Sequence, residues 1–175
     1  SWDNARSRLP WLFASWVGGV CAAAIIGIFD NTLQSTLALA AFIPVVIGMG
    51  GNIGTQTSTL VVRGLATGRV NVGNNINIIF KEIRVGLILG ILYGLLLGLF
   101  AIMSFVDISP YLGLVVGLGI ACSMLIATAF GSLVPLLLHR MDIDPAIATG
   151  PFVTTSIDIL GVTLYFVIAK IFLPV

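Results

Sequence analysis

A single carboxylate, Asp158, sits inside an apolar stretch long enough to cross a bilayer, and no other feature constrains the chain as strongly. The stretch runs from Asp144 to Leu173 and, with its short lead-in, reads DIDPAIATGPFVTTSIDILGVTLYFVIAKIFL. At ~1.5 Å rise per residue, Asp158 lies about 20 Å along a helix from Pro145, near the middle of a hydrocarbon core ~30 Å thick. An ionised Asp at that depth costs about 2.5–3.5 kcal/mol on insertion scales, so it has to face water or protein. Pro151, Thr154, Thr155, Asp158, Gly161 and Tyr165 share one helical face at roughly 100° per residue, with Asp144 near its start. That face is small, hydroxylated and acidic, as expected of the wall of a cation path. Val162 is taken as a further pore-facing position.

Composition places the rest of the chain in the same solvent. Of 175 residues, 58% are hydrophobic and only 9% charged, with mean hydropathy +1.14. Soluble domains carry about 25% charged residues, so lipid has to surround most of this surface. A net charge of +1 leaves no basic patch for nucleic acid. Cys21 and Cys122 lie in apolar runs with no neighbouring His or Cys; they read as small buried fillers, not as a disulfide or zinc site. The chain begins at Ser1, and its first apolar run lacks a small-residue cleavage site, so the expectation is a fragment or processed product and not a signal peptide with a domain behind it.

Five transmembrane helices are predicted, at about 10–29, 36–63, 77–105, 111–138 and 145–173, in one all-α membrane domain covering 1–175. Breaks are expected at Asp30–Gln34, Gly68–Asn75, Asp107–Pro110 and Arg140–Asp144, all polar and turn-rich. Pro10 and Pro145 suit the first turns of spans one and five, and Asp144 the N-cap of the latter. Seven of the eight basic residues fall on one side of this arrangement, with only Lys170 on the other. The positive-inside rule then makes the N-terminus cytoplasmic and the C-terminus external. His139 reads as an interfacial residue. Gly86, Gly90, Gly94 and Gly98 recur every fourth residue in span three, with Gly113 and Gly117 in span four; such grooves let helices approach closely.

A second polar constellation lies in span two, PVVIGMGGNIGTQTSTLVVRGLATG from Pro44 to Gly68. Gly48, Gly50, Gly51 and Gly54 surround Asn52, with Thr55 and Gln56 beside it. No Lys follows as in a P-loop and no strand precedes, so the run is not a phosphate cradle. It predicts a loosened or closely approached helix, whose carbonyls and amides can face water. Asn52 lies about as far from Arg63 as Asp158 lies from Pro145, and two polar clusters at one depth point to one shared site.

GMGGNIGTQ followed by RGLATG resembles the second transmembrane helix of the MgtE-type magnesium channels, and DPAIATGPFVTTSIDILG their fifth. The resemblance extends over the whole chain through the helix count and spacing. It implies a pore for Mg²⁺ at a homodimer axis, lined by helices two and five, with the two copies of Asp158 facing one another. It further implies that Asp158 is the pore carboxylate, that the Thr154 backbone carbonyl faces the ion one turn away, and that Asp144 matches an acid near a cytoplasmic ion site. Gly150 departs from relatives that carry Asn there. The family's cytoplasmic regulatory region, with its CBS domains, is absent from this chain and expected in a full-length one. The location implied is the cell (inner or plasma) membrane, with several passes.

These residues suit magnesium on chemical grounds. Mg²⁺ prefers octahedral oxygen ligation at about 2.0–2.1 Å and sheds water reluctantly. Two symmetry-related Asp158 carboxylates are expected to hold the hydrated ion through its waters, with Asn52 at similar depth. Pro151 removes the hydrogen bond to the Ile147 carbonyl, freeing another oxygen. The Thr154 and Thr155 hydroxyls either join them or bond their own helix backbone. Pro151, Gly150, Thr155, Ile147 and Gly51 complete the expected lining. A carrier coupling the ion to Na⁺ or H⁺ on the same architecture is the alternative function. An intramembrane aspartyl protease is disfavoured, because a dyad needs two carboxylates close together and Asp158 is read as the only acid deep in a span. A Ser–His protease would rely on His139 at a membrane edge. The chain is therefore not expected to be an enzyme.

Overall fold

The computed structural model describes residues 2–69, 75–105 and 109–173 of the chain. Its helices are α1 (Trp2–Ile28), α2 (Asp30–Ser35), α3 (Ala38–Ala66), α4 (Asn75–Ser104), α5 (Leu112–Arg140) and α6 (Pro145–Phe172). Five of them, all but α2, are long and apolar enough to cross a membrane. These are the five spans expected from sequence, with ends within a few residues of the expected ones except at the start. No strand occurs among the described residues.

Two expectations near the N-terminus are corrected. Helix α1 begins at Trp2, so Pro10 lies inside the helix instead of in its first turn. The ring removes one hydrogen bond, to the Arg6 carbonyl, where the surrounding residues are exposed and the loss is readily made good by solvent. The Asp30–Gln34 break is a six-residue helix, not an open turn. Phe29 just before it stacks on Phe166 of α6, ring centroids 5.2 Å apart, which anchors the connection and leaves the polar residues free to close one helical turn.

Cross-helix contacts fix the direction of every span. Gly50 of α3 meets Ser123 of α5, and Gly131 further along α5 meets Gly54 and Thr57, so α3 and α5 run parallel. Gly98 meets Gly113 and Gly90 meets Ala121, so α4 runs antiparallel to α5. Helix α6 is antiparallel to α5, with Gly119 against Tyr165 and Gly161 against Ser123. Helix α1 runs parallel to α6, Trp11 meeting Phe152 and Phe29 meeting Phe166. Consequently Arg6, Arg8, Arg63, Lys81, Arg84 and Arg140 gather at one end of the bundle, the basic end, and Lys170 marks the other.

Helix α5 is the hub: α3, α4 and α6 all pack on it, and Val115, Val116, Ile120, Met124 and Ala127 along it are almost fully buried. The most extensive interface is α4 on α5, and its cause is the glycine ladder. A Cβ at Gly94 would stand 2.7 Å from the Gly117 carbonyl oxygen, and one at Gly98 2.6 Å from that of Gly113. Only hydrogen fits between these backbones, so the two helices touch main chain to main chain. Helix α1, by contrast, packs chiefly on α6, and only 11% of its most apolar stretch is buried by the rest of the chain. Cys21, expected as a buried filler, lies on this open face of α1; Cys122 is half-buried, and both are free thiols.

Candidate ion site

Helix α3 continues unbroken through its glycines, so the loosened alternative is set aside; the close-approach alternative applies at two positions. A Cβ on Gly54 would press within 2.5 Å of the Ile157 Cδ1 and 3.0 Å of the Val153 Cγ1, and Gly50 likewise receives the Ile157 side chain at 2.8 Å. Gly48 and Gly51 have nothing within 4 Å of a would-be Cβ and lie on the open side. The glycines thus serve two faces, one seating α6 and one left open.

The seating sets the depth of both polar clusters. Because Ile157 contacts Gly50 and Gly54 together, residue 52 is level with residue 157. Asn52 is also the middle residue of α3, and Asp158 one of the two middle residues of α6. Their similar depth, read from sequence, is therefore a property of the packed pair. Asn52, Thr55, Gln56, Thr59 and Leu60 line an open groove of about 530 Å³ on α3. Asp158 is half-buried, and its carboxylate has no hydrogen-bonding or cationic partner among the described residues. The Asn52 and Gln56 amides, at mid-depth on an open face, cannot rest against lipid without unmet hydrogen bonds. They call for water or a protein partner.

The basic end of α6 follows its sequence closely. Asp144 is the N-cap, its Oδ1 accepting from the Ala146 N–H at 2.9 Å, with Pro145 directly after it. Gly150 is exposed with open space around it, and Pro151 is half-buried. The Ile147 side chain lies outside the described residues. The Thr154 hydroxyl donates to the Gly150 carbonyl at 3.0 Å and to that of Pro151 at 3.3 Å. Of the two roles left open for that hydroxyl, bonding to its own helix is the one seen. The same holds on α3, where Thr55 donates to the Gly51 carbonyl at 2.8 Å and Thr59 to that of Thr55 at 2.8 Å.

Several residues of the expected polar face turn elsewhere. Thr155 packs its methyl onto Gly18 of α1 and not toward the groove, because the missing side chain at Gly18 is what lets α1 lie against α6. Gly161 and Tyr165 are buried: Gly161 faces Ser123, and the Tyr165 hydroxyl donates to the Leu39 carbonyl at 3.1 Å. Val162, expected to face the pore, is 1% exposed within this one chain. The helical wheel failed there because α6 is open toward the basic end and covered by α3 and α5 toward the other.

One acid escaped the sequence reading. Glu82 of α4 is only 9% exposed, more buried than Asp158, and accepts from the Thr57 hydroxyl at 3.3 Å. It sits between Lys81 and Arg84, whose charges made the segment look like a solvated connection. Its place one turn before Gly86 on the four-residue ladder was the available signal. Among the described residues no three carboxylate, imidazole or thiol side chains gather as a metal cage.

Comparison with known proteins bears on this geometry. The sequence model of the MgtE family, described as a divalent cation transporter, matches residues 43–168, which include most of both polar helices. The magnesium transporter MgtE of Bacillus subtilis is 37% identical over 169 residues, covering 97% of this chain and 37% of that protein. Those of Enterococcus faecalis and Thermus thermophilus are 36% and 34% identical, over 97% and 95% of this chain. The chain spans 36–37% of the length of these relatives. A match across most of the chain, through both helices of the candidate site, shows that it belongs to the MgtE family of divalent cation transporters.

Proposed function

We propose that this chain is the membrane part of a magnesium channel, conducting hydrated Mg²⁺ along a path lined by α3 and α6 at the axis of a homodimer in the cell (inner or plasma) membrane. The observation that carries the proposal is the half-open, unpartnered Asp158 carboxylate at the midpoint of α6, level with the polar groove on α3. Relatives described as magnesium transporters add the identity of the ion. One chain offers one such carboxylate, too few for a dry six-oxygen cage. A twofold axis duplicates it, and two carboxylates offset the double charge while the ion keeps its water. The open Asn52 and Gln56 amides then meet water and ion instead of lipid.

In this reading Asp158 is the charge-bearing ligand, acting through water, and Asn52 a hydrogen-bonding neighbour at the same depth. The Thr154 carbonyl, with Pro151, Gly150, Gly51 and the Ile147 carbonyl, lines the way from the basic end. Asp144 contributes near the cytoplasmic mouth with the carboxylate oxygen that the cap leaves free. The basic end faces the cytoplasm, as the positive-inside rule requires. The length by which relatives exceed this chain supplies cytoplasmic regulatory domains in the full-length protein.

The test is ion flux through the full-length protein in liposomes with a Mg²⁺ gradient, with and without opposing Na⁺ or H⁺ gradients. Flux that follows the Mg²⁺ gradient and membrane potential alone supports a channel. Strict dependence on Na⁺ or H⁺ would replace it with a coupled carrier on the same helices.

A further inference from the structure

Glu82 extends the glycine ladder of α4 by one step. Positions 82, 86, 90, 94 and 98 lie on one stripe, and the four glycines press it onto α5. The Glu82 side chain is therefore directed at α5 and not at lipid. Its contact is nevertheless on α3, where the Thr57 hydroxyl donates to its Oε2. Helices α3 and α4 both pack on α5 and meet each other only sparsely, as where Phe42 faces Phe100 toward the other end. Thr57 comes within reach because α5 has no side chain at Gly131, which lets α3 close onto α5 at this level. A Cβ there would stand 2.6 Å from the Gly54 carbonyl oxygen and 3.0 Å from the Thr57 Cβ. The other hydroxyls of this layer do not compete, since Thr128 donates to the Leu125 carbonyl, and Ser132 to those of Thr128 and Ala129.

Thr57 faces away from most of the polar lining of the groove, although Gln56 and Leu60 at its edges come nearer, about 100° and 60° around. Going around the helix at roughly 100° per residue, Asn52, Thr55 and Thr59 lie about 140–160° from Thr57. A tie at Thr57 thus holds α3 from behind. We propose that Glu82 is a positioning residue for ion passage: it reaches from α4 to Thr57 and fixes where the basic-end half of α3, and with it the groove, stands. This rests on the reading that α3 lines the path. The mid-helix glycines leave Gly48 and Gly51 without side-chain contact, so the polar face depends on ties made through the opposite side.

The test uses full-length protein in liposomes and compares Mg²⁺ flux for Glu82→Ala, Glu82→Gln, Thr57→Val, and Glu82→Ala with Thr57→Val. The maximal rate is expected to fall about three- to tenfold in Glu82→Ala and in Thr57→Val, the scale of one lost hydrogen bond, with the double variant no worse than either. The half-saturating Mg²⁺ concentration is expected to stay within about twofold of wild type, because Asp158 is untouched. Glu82→Gln is expected to restore most of the rate, its amide oxygen accepting from the same hydroxyl. A wild-type rate in both single variants, losses that multiply in the double variant, or Gln no better than Ala would each overturn the proposal. Thr57→Val, nearly isosteric, decides the matter if Glu82→Ala does not fold. Wild-type flux, and its loss in Asp158→Asn, report separately on the path itself. If both hold while the Glu82 and Thr57 variants conduct normally, only the positioning role falls.

Discussion

The hydroxyl of Tyr165 on α6 donates to the backbone carbonyl of Leu39 on α3 at 3.1 Å, both residues being fully buried. The bond fastens the two candidate pore helices at the end away from the arginines. A second buried bond, from Ser123 Oγ to the Val46 carbonyl at 3.1 Å, ties α3 to α5 two turns further in. Tyr165→Phe keeps the ring against Gly119 and loses only the bond. It is expected to cost about 1 kcal/mol and to lower the unfolding temperature in detergent by a few degrees. An unchanged unfolding temperature would mean the bond does not hold the helices.

The glycine ladder gives the sharpest packing prediction. Gly90→Leu or Gly94→Leu has to push α4 off α5, since even a methyl group would stand 3.0 Å or 2.7 Å from a backbone oxygen. Overpacking of this kind costs about 1–3 kcal/mol or more, so thermal stability should drop with ion preference unchanged. Gly51→Ala, in open space, should unfold as wild type does. A stable Gly94→Leu protein with altered ion preference would move the ladder from packing to the path.

The dimer axis is tested by self-crosslinking, with Cys21 and Cys122 first replaced. Gln56→Cys, on the open groove, is expected to crosslink to its own copy in the partner chain under mild oxidation in membranes. Val162→Cys is expected not to, because residue 162 is buried within its own chain. Crosslinking at 162 without any at 56 would place the axis on another face.

The helices were legible in the sequence because a bilayer demands ~20 apolar residues per span, and that demand is one-dimensional. Pro145, Asp144 and the ladder are likewise local signals, and each appears where its spacing put it. The polar face of α6 was only half legible. A helical wheel assigns one environment along the whole helix, whereas α3 and α5 cover Gly161, Val162 and Tyr165 and leave Gly150 and Asp158 more open. Thr155 was misplaced for a related reason: its neighbour is Gly18, on a helix more than a hundred residues earlier in the chain. Glu82 was missed because Lys81 and Arg84 beside it outweighed its place on the ladder, and its partner Thr57 lies on another helix.

The central claim is that Asp158 carries the ion's charge in mid-membrane, and Mg²⁺ uptake by liposomes containing full-length protein tests it most directly. Asp158→Asn keeps the shape and removes the charge; Asp158→Ala removes both. Asp158 has no partner among the described residues to lose, so both variants should remain folded. Uptake should fall at least tenfold in both, roughly the effect of 1.4 kcal/mol or more on passage of the doubly charged ion. Wild-type uptake in both variants would contradict the account.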